Sequence, residues 1–107
     1  MWQTFGSCQG YTDVGDYLGF SLNVPLNEEW EILRLRTISF YLVPAIITLS
    51  VNRDRRINVI PSESDNKLTI GDKIKGGSNI SLYISKFNAN VTSFGYYIDV
   101  IRKGISS

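Results

Sequence analysis

The chain has 107 residues, with 11 Lys and Arg against 10 Asp and Glu, a net charge of +1 and no histidine. That length is one domain, able to bury roughly 65% of the surface its unfolded form exposes. The near-neutral balance excludes a protein whose main work is neutralising nucleic-acid phosphate, and the missing histidine removes the commonest general base and transition-metal ligand together.

Cys8 stands alone. No disulfide can therefore form within the chain, structural zinc lacks ligands, and a cysteine nucleophile would lack its usual partner. The first fifteen residues have neither the positive nor the apolar region of a signal peptide, and no run approaches the length of a bilayer span, so the expectation is a soluble protein. Asn79-Ile80-Ser81 and Asn90-Val91-Thr92 match the glycosylation pattern, but without a secretion signal neither is expected to be used. Asn, Ser, Thr and Gly are plentiful and Ala nearly absent, the balance of an all-β protein with many turns.

Residues 1–16 carry Trp2, Phe5 and Tyr11 with no sustained alternation of either period, which predicts an extended N-terminal arm. Aromatics so close to a chain end are costly to leave in water, so Trp2, Phe5 and Tyr11 are candidate anchors on a partner. From Tyr17 to Val24 the pattern alternates, with Leu18, Phe20, Leu22 and Val24 on one side, predicting a half-buried strand. Pro25-Leu26-Asn27-Glu28 then turns the chain.

Residues 28–51 form the most apolar stretch. Trp30, Ile32, Thr37, Ile38, Phe40, Tyr41 and Val43 are β-branched or aromatic, and a helix would put Arg34 and Thr37 on its apolar stripe, so the stretch reads as two strands. Trp30, Ile32, Ile38, Phe40 and Leu42 share one phase while Leu33 and Leu35 hold the other. A β-bulge around Arg34 to Arg36 would restore one core face. After Pro44, residues 45–51 form a strand apolar on both sides at its start. Asn52 to Arg56 is a polar reversal into residues 57–60, and residues 61–66 are a loop. Lys67 to Ile70 is a short strand, with turns at Gly71-Asp72 and Gly76-Gly77 around Lys73-Ile74-Lys75. Residues 78–86 alternate most clearly, Ile80, Leu82 and Ile84 facing Asn79, Ser81, Tyr83 and Ser85. A loop over residues 87–93 leads to the last strand, residues 94–102, and a short polar tail.

Seven or eight short strands joined by turns predict an all-β antiparallel β-sandwich or jelly roll, with residues 17–107 as a single domain behind the arm. No GxGxxG, GxxxxGK[ST] or GxSxG motif is present, and the glycines at 71, 76 and 77 are explained by turns. Glu28, Glu29 and Glu31 read as a solvated rim beside Arg34 and Arg36. Asp13, Asp16, Asp54, Asp65 and Asp72 lack calcium-loop spacing. The residues offer no catalytic, cofactor-binding or metal site and imply no cofactor. The most pointed polar feature is Arg53, Arg55 and Arg56 at one hairpin tip, suited to an acidic protein surface.

Val24-Pro25-Leu26-Asn27-Glu28-Glu29-Trp30-Glu31-Ile32, followed by a long strand and by Asn52-Arg53 at the next reversal, resembles small β-sandwich virion proteins of tailed bacteriophages over about residues 18 to 102. Asn27 stands where glycine is commoner in that group. The resemblance implies a capsid decoration (cement) protein, or a related head-fibre, collar or tail component. It would be assembled in the host cytoplasm and carried on the virion as a symmetric homo-oligomer, a trimer above other states. Its partners would be the major capsid protein or other virion proteins, with no direct nucleic acid and no membrane. The alternative from the residues themselves is a carbohydrate- or receptor-binding module using Tyr83, Tyr97 or Trp2 as a stacking platform.

Overall fold

The structure is a computed structural model that describes residues 1–11, 13–39, 45–59, 66–87 and 92–104, and every structural statement concerns these. They form eight strands: β1 (Trp2–Tyr11), β2 (Gly15–Asn23), β3 (Glu28–Ser39), β4 (Ala45–Val51), β5 (Asp54–Val59), β6 (Asn66–Ile74), β7 (Asn79–Lys86) and β8 (Thr92–Gly104). Two four-stranded sheets result, one ordered β1-β8-β3-β6 and the other β2-β7-β4-β5, with antiparallel pairing throughout. The chain changes sheet at every connection except the β4–β5 hairpin, and the strand order is that of a jelly roll.

β3 does carry a bulge, but it lies at Leu33 and not around Arg34 to Arg36, and Ile38, expected in phase with Trp30 and Ile32, is exposed. The register shifts between Ile32 and Arg34 on both sides: against β8 Leu33 is the extra residue, and against β6 it stands opposite two, Ile70 and Gly71. Trp30, Ile32 and Leu35 are consequently buried, while Arg34 and Arg36 share the opposite face. On β6 the irregularity is taken up beside Gly71, whose φ of 73° suits a residue without a side chain. The expected break at Gly71-Asp72 is therefore a bend inside one strand, not a turn between two. A second bulge, between Leu18 and Phe20 of β2, corrects the predicted alternation there: Leu18 is exposed, while Tyr17, Phe20 and Leu22 pack against the core. Gly19 sits at that bulge because a Cβ would come within 2.7 Å of Leu82 and 2.9 Å of the Tyr96 ring.

Between the sheets lie Ile32, Ile47, Leu49, Ile80, Leu82, Ile84, Ile98 and Val100, each 0% exposed. At about 1.5–3 kcal/mol per buried side chain, this layer is the main favourable term in folding.

The largest correction concerns the N-terminus. Residues 2–11 are not an arm but β1, paired residue for residue with β8 from Trp2–Ile101 to Tyr11–Thr92. Phe5 stacks on Trp30 with ring centroids 5.3 Å apart, and the Tyr11 and Tyr96 hydroxyls are 2.6 Å apart in the core. An aromatic at every third to sixth position hid the alternation, because Gly6 and Gly10 interrupt it. The predicted reversal from Asn52 to Arg56 is also shorter than expected: Asn52 and Arg53 alone make the turn, and Arg55 and Arg56 belong to β5. Phe40 to Pro44, the loop over residues 61–65, Asn90-Val91 and residues 105–107 lie outside the described residues.

A chain lacking residues 2–11 should lose the Phe5–Trp30 stack and expose the free edge of β8. The expected outcome is loss of cooperative thermal unfolding in near-ultraviolet circular dichroism. A retained sharp transition would mean that β1 is dispensable to the sandwich.

Candidate functional site

The two sheets turn outward faces of different chemistry to solvent. On the first, the register aligns Trp2, Ile101 and Glu31 in one row, Thr4, Asp99 and Arg34 in the next, and Gly6, Tyr97 and Arg36 in a third. Asp99 is 1% exposed although it lies on an outward face, because its neighbours close over it. Its carboxylate accepts hydrogen bonds from Thr4 Oγ1 at 2.6 Å, Arg34 Nε at 2.5 Å, Arg36 Nε at 2.9 Å and Arg36 Nη2 at 3.1 Å. Burial alone would raise the Asp99 pKa. The donors from Thr4, Arg34 and Arg36 outweigh it and hold the carboxyl below its ordinary value.

The same two arginines lie over aromatic rings, Arg34 over Trp2 and Arg36 over Tyr97, each 5.5 Å from the ring centroid. Tyr97 lies flat across the sheet because its β1 neighbour, Gly6, and the residue two before it on β8, Gly95, are glycines. A Cβ on Gly95 would sit 2.9 Å from the ring, and one on Gly6 closer still. The result is a ladder of two guanidiniums and two rings around one carboxylate, with Trp2 55% exposed at its end.

At one end of the sandwich Arg102 closes the core. Its guanidinium lies 5.0 Å from the Trp30 ring centroid and donates to Glu28 from Nε at 2.7 Å and Nη2 at 2.8 Å. Trp30 Nε1 donates to the same carboxylate at 2.9 Å. The hydrogen bonds from Arg102 and then Trp30 lower the Glu28 pKa to about 2. Such a group stays ionised and makes a poor general acid. Glu29 and Glu31 instead line a shallow depression with Lys73, Ile101 and Lys103.

The outward face of the second sheet is mostly uncharged. Its rows run Ser21, Ser81, Ser50 and Arg55, then Leu18, Tyr83, Thr48 and Asn58. A groove of about 470 Å³ opens there, lined by Leu18, Ser21, Asn52, Arg53, Asn79, Ser81 and Tyr83. Asn79 organises it, its Nδ2 donating to Ser21 Oγ at 2.9 Å and Asn23 Oδ1 at 3.0 Å, while its Oδ1 accepts from Ser81 Oγ at 2.5 Å. The β4–β5 turn is fastened to the groove. Asn52 N donates to the Asn79 carbonyl at 2.8 Å, and Asn79 N donates to Asn52 Oδ1 at 2.9 Å. Asn52 and Arg53 have φ values of 52° and 70°, the pattern of a type I′ hairpin turn. Glycine is the residue that turn favours at its second position, and an arginine held there costs on the order of 1 kcal/mol.

Of the residues singled out in the sequence, Trp2 is at the surface, while Phe5 and Tyr11 face the interior. Arg53, Arg55 and Arg56 do not form one tip: Arg53 lines the groove, Arg55 lies opposite Ser50, and Arg56 reaches Asp72 of the other sheet at 3.6 Å. Tyr83 and Tyr97 lie on opposite faces of the sandwich. The Asp99 cluster escaped sequence reasoning. Its visible signal was Arg34 and Arg36 two residues apart in an apolar strand, but which strand would supply the carboxylate depends on the sheet order.

Among the described residues no group of three or more His, Cys, Asp or Glu is placed to hold a metal ion. No family model matches the chain, and no curated protein matches it. Solved structures do. A chain from the structure titled "Bacillus endospore appendages form a novel family of disulfide-linked pili" superposes with a TM-score of 0.57 at 11% identity, covering 98% of this chain and 89% of that one. The likeness is one of fold. A chain of infectious bursal disease virus, Gt strain, gives a TM-score of 0.50 at 10% identity over 100% of this chain and 38% of that one. The Gx strain gives 0.47 at 14%, over 94% and 32%. The sandwich is thus similar in fold to both a pilus protein and a virus protein, and not specifically to tailed-phage decoration proteins.

Asp99→Asn should cost about 1–3 kcal/mol at neutral pH, since Arg34 and Arg36 lose a charge-assisted acceptor while keeping some contact with water. Because the folded pKa is depressed, the wild-type advantage is present above the unfolded value and is lost as pH falls through the folded one. Urea unfolding from neutral to strongly acid pH should show the difference between the two proteins shrinking on the acid side. A gap independent of pH would remove the ionised carboxylate from the account.

Proposed function

We propose that the chain is a non-enzymatic structural subunit of a tailed-bacteriophage virion, a jelly roll that decorates the shell as a symmetric oligomer. The observation that carries this reading is β1. It is a ten-residue strand at the edge of its sheet, with no charged residue, no proline and no register shift. Unpaired edges of that kind template pairing with another chain, and proteins that stay monomeric blunt them with charge, proline or bulges. The other three edges are blunted: β2 has Asp16 and a bulge, β5 has Asp54, Arg55 and Arg56, and β6 has Lys67, Asp72, Lys73 and an irregularity at Gly71. On the open edge stands Trp2, with the guanidinium of Arg34 from β3 over its ring, and both residue types are enriched at interfaces. Asp99 and Glu28 are tied into ion pairs, which suits a rigid adhesive body better than a catalyst.

Pairing of β1 with β1 of a second copy closes a dimer. Pairing of β1 with a different edge of the next copy closes a ring such as a trimer. A second reading, a filament subunit, is favoured by the match to the pilus chain over nearly the whole of both chains. One cysteine per chain closes one intermolecular disulfide per copy, so a disulfide could join pairs but could not run along a filament.

Sedimentation velocity on the purified chain should show a discrete oligomer. Placing lysines on the open edge, as Cys8→Lys with Gly10→Lys, should convert it to monomer without changing the circular dichroism. Cosedimentation with candidate phage particles should follow the oligomer, and negative-stain microscopy showing long filaments would favour the second reading. A wild-type chain that is monomeric at high concentration and ignores every particle would overturn both.

A further inference from the structure

We infer that the groove on the outward face of the second sheet binds an acidic saccharide. This does not rest on the assembly reading, which uses the opposite face and the β1 edge. Saccharides are recognised by side-chain hydroxyls and amides that exchange hydrogen bonds with sugar hydroxyls, together with an aromatic ring for the apolar face of the sugar. The groove offers both. Tyr83 is 41% exposed and Leu18 57% exposed, side by side in the register, so an apolar strip crosses an otherwise hydroxyl-bearing floor. Ser21 Oγ accepts from Asn79 Nδ2, which leaves its own proton free for a ligand oxygen. Asn79 spends its side-chain hydrogen bonds on protein, so it acts as a scaffold that fixes the surrounding hydroxyls before any ligand arrives.

The charge selects within that class. No carboxylate lines the groove, and Arg53 lines it with no ion-pair partner among the described residues. A guanidinium takes a carboxylate in two-point geometry, so one sugar acid group fits where a chain of phosphates would need several cations. Arg53 also occupies a left-handed position where glycine would relax the turn, and the doubly bonded Asn52–Asn79 link holds that turn at the groove. An unfavourable residue kept at the rim of a cavity, with its charge unmatched, marks a site held for a ligand and not for the fold.

The experiment is a nitrogen-15 NMR titration of the intact chain with trigalacturonic acid and 3′-sialyllactose, with neutral galactotriose and lactose as controls. At least one acidic sugar should bind saturably, with shifts confined to β2, β7 and the Asn52–Arg53 turn, and the neutral sugars should bind about tenfold more weakly or not at all. Arg53→Gly should raise the melting temperature while weakening acidic-sugar binding about tenfold, and Tyr83→Ala should weaken all sugar binding. Equal binding of neutral and acidic sugars, shifts spread over the basic surface, or no binding at about millimolar ligand would each overturn the assignment. So would affinity unchanged by Arg53→Gly. None of these outcomes depends on whether the chain forms oligomers or attaches to particles.

Discussion

The extra residue Leu33 is the constraint on which the rest of the first sheet depends. A strand alternates strictly, so without an inserted residue the apolar set Trp30 and Ile32 would put Leu33 and Leu35 outside and both Arg34 and Arg36 inside. One bulge changes the phase, and two consequences follow together. Leu35 joins Trp30 and Ile32 in the core, and Arg34 comes to stand opposite Asp99 of β8. Core packing and surface electrostatics are therefore two faces of one register choice, and Gly71 on β6 supplies the compliance that lets both neighbours accept it.

The Asp99 cluster shows what that register makes possible. A carboxylate closed off from water is costly unless its lone pairs are filled, and here three side chains fill them while the guanidiniums remain partly hydrated. Because Thr4 is one of the donors, the cluster ties β1 to β8 and β3 through side chains as well as through the ladder. Arg102 does similar work at the end of the sandwich, joining Glu28 and Gln3 over the Trp30 ring. Both arrangements fasten the N-terminal strand to the middle of its sheet.

Much of this was legible in the residues. The all-β class, the need for a bulge in β3 though not its place at Leu33, the paired strands around Asn52-Arg53 and the buried set Ile80, Leu82 and Ile84 follow from alternation and β-branching, which are local signals. What was not legible has physical reasons. β1 was hidden because glycines at 6 and 10 blank out its period, yet Gly6 is glycine for a reason visible only in the sheet: the Tyr97 ring lies across it. The inversion of Leu18 could not be read because the bulge at Gly19 is set by Leu82 and Tyr96, more than sixty residues away in sequence. Arg53, Arg55 and Arg56 are adjacent in sequence but diverge, since a two-residue turn and the strand after it point successive side chains in different directions.

The two outward faces follow opposite rules, and that contrast limits what either can do. On the first, Arg34 and Arg36 are matched by Asp99 and lie over the Trp2 and Tyr97 rings, so this cluster is pre-arranged, with an unguarded strand edge at the border. On the second, the groove floor is neutral and its one lining guanidinium, Arg53, has no ion-pair counterpart among the described residues. A surface with matched charges and an open edge adds another β-strand at little electrostatic cost. A neutral, hydroxyl-bearing groove with one unmatched cation gains most from a small polyhydroxylated anion. Because the hydrophobic layer between the sheets separates the faces, occupation of one need not disturb the other, and a single small sandwich can be held in an assembly while keeping the far side open.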